Sequence, residues 1–423
     1  MFVRIILVLV CWLTSAAAAE RLTLEEAVAT ALRTHPRIAA DTALSLAAGE
    51  NVTAVRSGLY PTVGAHVSGV GAVNDSRIAA GNLNNPIILS RLGMGTSVSQ
   101  LITDFGRTQD LTESSRLRAG SSREGINATR AAIVLAVHRA FLAGLRTRNL
   151  LEVAQQTIEA RQLVLDQVSA LASANMKSTL DVSFAEVNIS EARLLLSAAE
   201  NQHRAALADL SSAIGYREPR DFDLVDVPAI DQPPPPSHDL ITEALTNRPE
   251  LAALRMEHQA ALRFVEAEKK LARPTVTALG AAGVAPAHSD RMRGRYGAVG
   301  VNLNMPVFNG HLFDARQREA AYRAQAIGKR IEDLENGIAR EISVAWLNAD
   351  TAFQRIALTA QLLKQSRLAL DLAQERYKLG LSSIVELSQA QLNETGALIR
   401  DTAARYDYSI ETAILNFQAG RLQ

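Results

Sequence analysis

The sequence predicts a mainly α protein with a small antiparallel β part, built as an internal tandem duplication. Three observations point there. The chain aligns on itself: Pro36 and Pro249 lie 213 positions apart, each after a short amphipathic segment (24–33 and 240–247). Pro61 and Pro274 keep that offset, heading Tyr60-Pro61-Thr62-Val63 and Arg273-Pro274-Thr275-Val276. Further on the offset is 205, aligning Phe141 with Trp346, Asp166 with Asp371, Asp181 with Glu386 and Gly215 with Gly420. A repeat of this size with one deletion, between Pro274 and Gly300, is a duplicated domain-sized unit. Second, the stretches 106–173 and 311–378, each 68 residues, contain no proline or clear stop. Third, four segments alternate apolar and polar residues with the period of a strand.

Taken in order, residues 1–19 read as a secretory signal peptide: Arg4, a short apolar core from Ile5 to Leu13, and the small residues Ala17-Ala18-Ala19 before the cut. The core is too short to span ~30 Å of hydrocarbon. The only cysteine, Cys11, lies inside it, so the mature chain is expected to have no disulfide or thiol chemistry. No later run of 18 or more apolar residues is read from the sequence, so entry into a membrane would be as strands.

Thr23, with Glu25 and Glu26 in the first turn, opens an amphipathic helix that His35-Pro36 ends. A second helix covers about 37–57. Tyr60-Pro61 then starts a strand, because a residue before proline avoids the α region. Strands are expected at about 61–73 and 92–103, joined by an Asn-rich loop (Asn74, Asp75, Asn82, Asn84, Asn85). Their counterparts are about 275–285 and 296–308, joined by a short loop with Asp290, Arg291 and Arg293. Strands of about ten residues with one apolar face fit a transmembrane barrel, and equally an ordinary two-sided sheet. Four strands cannot close a barrel in one chain.

Asp104 and Asn309 are placed to cap the long helices. Ile126, Ile133, Val137 and Phe141, repeated as Ile331, Ile338, Ile342 and Trp346, mark one face in both copies. At about 1.5 Å per residue, 68 residues make roughly 100 Å of helix, the length of a coiled coil or helical barrel. Asn175 and Gly380 suit the left-handed closure of a helix. Return helices of 36 residues follow, 178–213 and 383–418, so the helical hairpins are 106–214 and 311–419. Residues 37–57 with one return helix approach the length of one long helix, as a uniform wall needs. Residues 216–239 hold six of the 13 prolines and read as an extended, non-helical linker. The repeats are therefore 20–215 and 240–423.

This order resembles the TolC-type outer-membrane efflux channel family over the whole mature chain. The residues that carry the resemblance are Leu101–Arg107 (Leu-Ile-Thr-Asp-Phe-Gly-Arg), Pro306–Gly310 (Pro-Val-Phe-Asn-Gly) and the stretch from Glu375 to Gln389 with Glu-Arg-Tyr-Lys-Leu-Gly and Ile-Val-Glu-Leu. The resemblance implies a homotrimer whose hairpins form an α-barrel through the periplasm. Each chain would contribute four strands to a twelve-stranded barrel in the outer membrane of a Gram-negative bacterium. It implies a passive exit duct for efflux or type I secretion. The expected partners are outer-membrane lipid, a periplasmic adaptor (membrane fusion protein) and an inner-membrane RND or ABC transporter. It places the periplasmic entrance at the hairpin turns, where Asp181, Tyr377 and Glu386 match positions that close or line it. Ser382 stands where the family has a gate arginine, and Gln389 where it has a second acid.

A local reading of the same residues competes. Ser383 with Glu386 spells a capping box, and Ser178 with Asp181 resembles one. Charge is balanced, 44 against 44, which gives nucleic acid no electrostatic hold. The histidines are scattered, no metal-ligand spacing occurs and no phosphate-cradling loop follows a strand, so neither catalysis nor a cofactor is expected. A periplasmic adaptor and a soluble exported scaffold remain as other readings. An adaptor would carry one hairpin flanked by β-rich domains, whereas two hairpins are read here.

Overall fold

The structure is a computed structural model that describes residues 20–73, 89–288, 290–291 and 293–422. The signal-peptide segment and the Asn-rich loop at 74–85 lie outside the described residues. In chain order the elements are β1 (Glu20–Leu22), α1 (Leu24–Thr34), α2 (Pro36–Arg56), β2 (Thr62–Val70), β3 (Arg91–Thr103), α3 (Arg107–Ser173) and α4 (Thr179–Ile214). The second copy follows as β4 (Phe222–Leu224), α5 (Ser237–Asn247), α6 (Pro249–Lys269), β5 (Thr275–His288), β6 (Arg295–Asn304), α7 (Leu312–Lys378) and α8 (Ile384–Gln418). The long helices α3 and α7 each contain 67 residues, and α2 and α6 each contain 21. The chain divides into two compact units.

The first unit comprises Met1–Ala39, Thr129–Asn247 and Ile338–Gln423. Helix α1 begins with a full capping box: the Thr23 hydroxyl accepts from the Glu26 N–H at 3.2 Å, and the Thr23 N–H donates to the Glu26 carboxylate at 3.0 Å. Its buried Ala27 and Ala31 pack with Ile133, Val137, Phe141, Leu142 and Leu145 of α3 and with Leu207, Leu210 and Ile214 of α4. The repeating face anticipated at Ile133, Val137 and Phe141 is thus core, as are Ile338 and Ile342 of the second copy.

One expectation is corrected here. Residues 216–239 are not wholly an extended linker. Phe222–Leu224 forms β4, which pairs in parallel with β1, and Ser237–Asp239 already belongs to α5. Leu22, Phe222 and Leu224 thereby enter the core, and Gly144 leaves α3 room for Leu224. The prolines are also tied down, because Trp346 Nε1 donates to the Pro235 carbonyl at 2.8 Å and the Tyr408 hydroxyl donates to that of Gln232. No unbroken run of 18 apolar residues occurs in α3 either, although an 18-residue window of it reaches a mean hydropathy of 1.4, with half of that window buried. Alanines between the larger residues raise the mean without forming an unbroken aliphatic run.

The second unit comprises Ala40–Ala128 and Arg248–Gly337. Its sheet has the order β2-β3-β5-β6, antiparallel throughout. Strand β5 runs three residues past the expected end, and β6 stops at Asn304, four residues short of it. The register separates two faces. One carries Val63, Ala65 and Val67 (β2), Met94, Thr96 and Val98 (β3), Ala278, Ala282 and Val284 (β5), and Val299, Val301 and Leu303 (β6). The other carries His66, Ser68, Ser97, Ser99, Asn302 and Asn304, with His66 Nε2 bonded to Ser97 Oγ at 2.9 Å. On the apolar face Val299 is 93% exposed and Val301 68%. Tyr296 lies on the small-residue face, over Gly283 and Gly95, where any Cβ would collide with its ring or hydroxyl.

Each passage from strand to long helix uses two successive left-handed residues: Phe105 and Gly106 (φ 58° and 86°), then Gly310 and His311 (61° and 66°). The expected simple N-cap at Asp104 is replaced by a longer reach. Its carboxylate accepts from the Gly106 N–H at 3.0 Å and from the Thr108 N–H at 2.7 Å, across both left-handed residues. Below this junction Glu268 of α6 is buried, its side chain 1% exposed. Arg316 lies 2.8 Å and Arg107 3.7 Å from its oxygens. Lys270 pairs with Asp110 and donates to the Gly106 carbonyl.

Candidate functional site at the hairpin turns

Both turns are built alike. Asn175 (φ 56°) ends α3 with the Met176 N–H donating to the Leu171 carbonyl at 2.9 Å. Gly380 (φ 72°) ends α7 with the Leu381 N–H donating to that of Arg376 at 2.8 Å. These left-handed closures satisfy carbonyls that the helix end would otherwise orphan. The return helices then start on serines. Ser178 and Asp181 form a complete capping box, the Asp181 N–H donating to Ser178 Oγ at 3.3 Å and the Ser178 N–H to Asp181 Oδ2 at 3.0 Å.

The second turn departs from its sequence motif. Ser383 Oγ accepts from the Glu386 N–H at 3.4 Å, but the reciprocal bond is missing. The Glu386 carboxylate lies 3.2 Å from Arg376 Nε instead, an ion pair with both side chains about half exposed. A guanidinium at the end of α7 draws the carboxylate out of the box that its position spells.

Tyr377 is 5% exposed and packs with Val168, Ala373, Ile384 and Leu387. Its hydroxyl is buried without a hydrogen-bond partner. Burial, then the negative charge of Asp181, pushes its pKa up to about 12. Lys177 stands above the ring, its nitrogen 3.8 Å from the centroid, and donates to the Tyr377 carbonyl at 3.4 Å. Ser382 Oγ is buried and also unpartnered. Gln389 is exposed and turns along its own helix to donate to Asn393 Oδ1 at 3.0 Å.

Of the residues singled out from sequence, the structure brings Asp181 within electrostatic reach of Tyr377, and ties Glu386 to Arg376. Ser382 and Gln389 make no contact with that pair of groupings in the bonds described. Sequence reasoning missed Lys177 and Arg376. The signal for Lys177 was available in the repeat: it aligns with Ser382 at the 205 offset, so a cation absent from the second copy stands in the first.

Beyond the turns the two hairpins meet through polar pairs. Asn188 Nδ2 donates to Ser388 Oγ at 2.8 Å, Arg161 Nη2 to Thr395 Oγ1 at 3.1 Å, Asn149 Nδ2 to the Tyr406 hydroxyl at 2.6 Å, and Arg146 Nη1 to Asp407 Oδ1 at 2.8 Å. Arg161 is buried. That burial lowers its pKa, and the charges of Glu394 and Glu191 oppose the shift.

Comparison with known proteins matches this architecture. The family model described as outer membrane efflux protein matches residues 27–216 and 240–421, one match to each copy. Outer membrane efflux protein BepC of Brucella suis biovar 1 (strain 1330) is 21% identical over 331 residues, covering 78% of this chain and 72% of its own. Among solved structures, CusC superposes with a TM-score of 0.81 at 17% identity over 94% of this chain and 92% of its own. The outer-membrane channel OprN gives 0.81 at 18% identity over 94% and 89%. With both copies matched and the fold shared over 94% of its length, this chain belongs to the outer membrane efflux protein family and is an outer-membrane efflux channel of the TolC type.

Proposed function

We propose that three copies of this chain assemble into a channel-tunnel, the passive exit duct of a tripartite efflux or type I secretion system. A periplasmic adaptor and an inner-membrane RND or ABC pump would complete the system, and the pump would supply the energy. The observation that carries this reading is the open sheet. It has four strands, its edges β2 and β6 are unpaired among the described residues, and one face is mostly aliphatic, with Val63, Val67, Val98, Val299, Val301 and Leu303 exposed on it. Unpaired backbone in a bilayer is untenable, so strands must close into a barrel. Four strands cannot close alone, whereas three copies supply twelve, within the range of membrane barrels.

In this reading each repeat, 20–215 and 240–423, contributes two strands and one helical hairpin. The hairpin turns form the periplasmic entrance. Asp181 and Glu386 line it, and Tyr377 locks the turns by packing. Ser382 and Gln389 leave it without the charged closure their positions would otherwise carry. The duct works without catalysis or cofactor. The test is reconstitution of the purified protein into planar bilayers. Discrete conductance steps from a detergent-stable trimer are expected. A protein that stays monomeric in buffer without surfactant overturns the proposal.

A further inference from the structure

The ends of the aliphatic face differ. At the helix end stand Tyr60, Phe105 and Phe308, the last 82% exposed. Arg56 lies over the Tyr60 ring and Arg273 over that of Phe105. Aromatic side chains of this kind mark a membrane interface. At the loop end the described residues from His288 to Arg295 hold three arginines, Arg291, Arg293 and Arg295, against one acid, Asp290.

Arg295 occupies a telling register. It pairs with Val284 and heads the stripe that continues through Val299, Val301 and Leu303, so it belongs to the aliphatic face. From Arg295 to Leu303 is roughly 26 Å at about 3.3 Å per residue, close to the height of a barrel's apolar band. A cation one hydrocarbon thickness from Leu303 along the strand sits at headgroup level on the far side. Arg91 and His288 pair with each other across β3 and β5 on the opposite face, so they do not belong to this surface.

We propose that Arg291, Arg293 and Arg295 form a docking surface for the phosphate groups of an anionic glycolipid in the outer leaflet. The proposal rests on the membrane-channel reading, with the strand loops facing outward. Clustered cations beside a lipid-facing surface bind anionic headgroups by charge and by charge-assisted hydrogen bonds to phosphate oxygen.

The test uses full-length protein in phosphatidylcholine nanodiscs, with and without diphosphoryl lipid A. Native mass spectrometry after release counts the lipid A retained. Wild type should retain it, and R291Q/R293Q/R295Q should bind it about fivefold more weakly per arginine removed. The corresponding triple Lys variant should keep most of the binding. Equal retention by wild type and the Gln variant overturns the proposal. So does displacement of lipid A by soluble inorganic phosphate at similar concentration, which marks a free-anion site. An altered ion selectivity of conductance with unchanged lipid retention overturns it too, and assigns these arginines to the pore mouth. Failure of wild type to enter either disc would remove the membrane reading itself, whereas entry without lipid preference removes the docking surface alone.

Discussion

Lys177 on the first hairpin turn covers the ring of Tyr377 on the second, 3.8 Å from ammonium nitrogen to ring centroid, while the Tyr377 hydroxyl beneath has no partner. The contact is therefore made by the ring face and the backbone carbonyl, not by the phenol oxygen.

Replacement of the phenol and of the ring should then separate. Tyr377→Phe should leave stability and resting conductance unchanged or slightly firmer, because it removes an unsatisfied buried hydroxyl. Tyr377→Ala should cost about 3–5 kcal/mol at the turn and raise leak conductance. Lys177→Met keeps bulk and loses charge, costing roughly 0.5–2 kcal/mol. Single-channel recording with thermal unfolding in detergent checks all three, and a leaky Tyr377→Phe channel would refute the ring-face account.

The raised Tyr377 pKa has a sign. The folded state holds this proton more tightly than the unfolded chain, whose tyrosine titrates near 10. The contribution is whole below about pH 10 and falls as pH rises toward about 12. Unfolding followed across that window should show a loss of stability that Tyr377→Phe lacks.

The two serine caps should behave unequally toward their acids. Ser178→Ala and Ser383→Ala should each cost about 1 kcal/mol. Asp181→Asn should add to the first loss, whereas Glu386→Gln acts through Arg376, an exposed pair worth about 0.2–1 kcal/mol. A double-mutant cycle on Arg376 and Glu386 measures that coupling. Planar-bilayer reversal potentials of the D181N/E386Q protein should show weaker cation preference, and an unchanged preference would leave these acids with local roles only.

Glu268 should tolerate no truncation. Glu268→Ala leaves Arg107 and Arg316 facing each other below the strand-to-helix junction, and breaking a buried ion cluster from one side costs about 3–5 kcal/mol. The readout is the melting temperature of the assembled protein, with exposed Glu332→Ala as the control that should leave it unmoved.

Charge on the two sheet faces should also separate. Val301→Asp or Leu303→Asp places a carboxylate on the aliphatic face and should reduce membrane assembly, by somewhat less than the ~2–4 kcal/mol of a basic residue at mid-depth. Asn302→Asp, between them on the other face, should assemble normally. Heat-modifiable migration on gels distinguishes the two.

Much of this was legible because it repeats. Asn175 and Gly380 could be read as helix closures since few residues accept a positive φ, and the buried face at Ile133, Val137 and Phe141 showed its period twice. The β1–β4 pair was not legible, because three-residue strands have no alternation to read and their pairing partners lie some 200 positions apart. The Glu386 interaction was hidden by a motif that is locally sufficient. Ser-x-x-Glu predicts a capping box, and only the fold brings Arg376 near enough to compete. Lys177 was legible only by comparing the copies, where its partner at the 205 offset is Ser382.

The sheet ends in strands from different copies, β2 from the first and β6 from the second. In the proposed closed ring, joining two chains mates unlike edges, a head-to-tail contact with no twofold partner. A chain crippled only along β6 would still offer an intact β2. It would enter a growing ring and leave it unable to close, so one such subunit co-expressed with wild type poisons whole rings and not merely its own share.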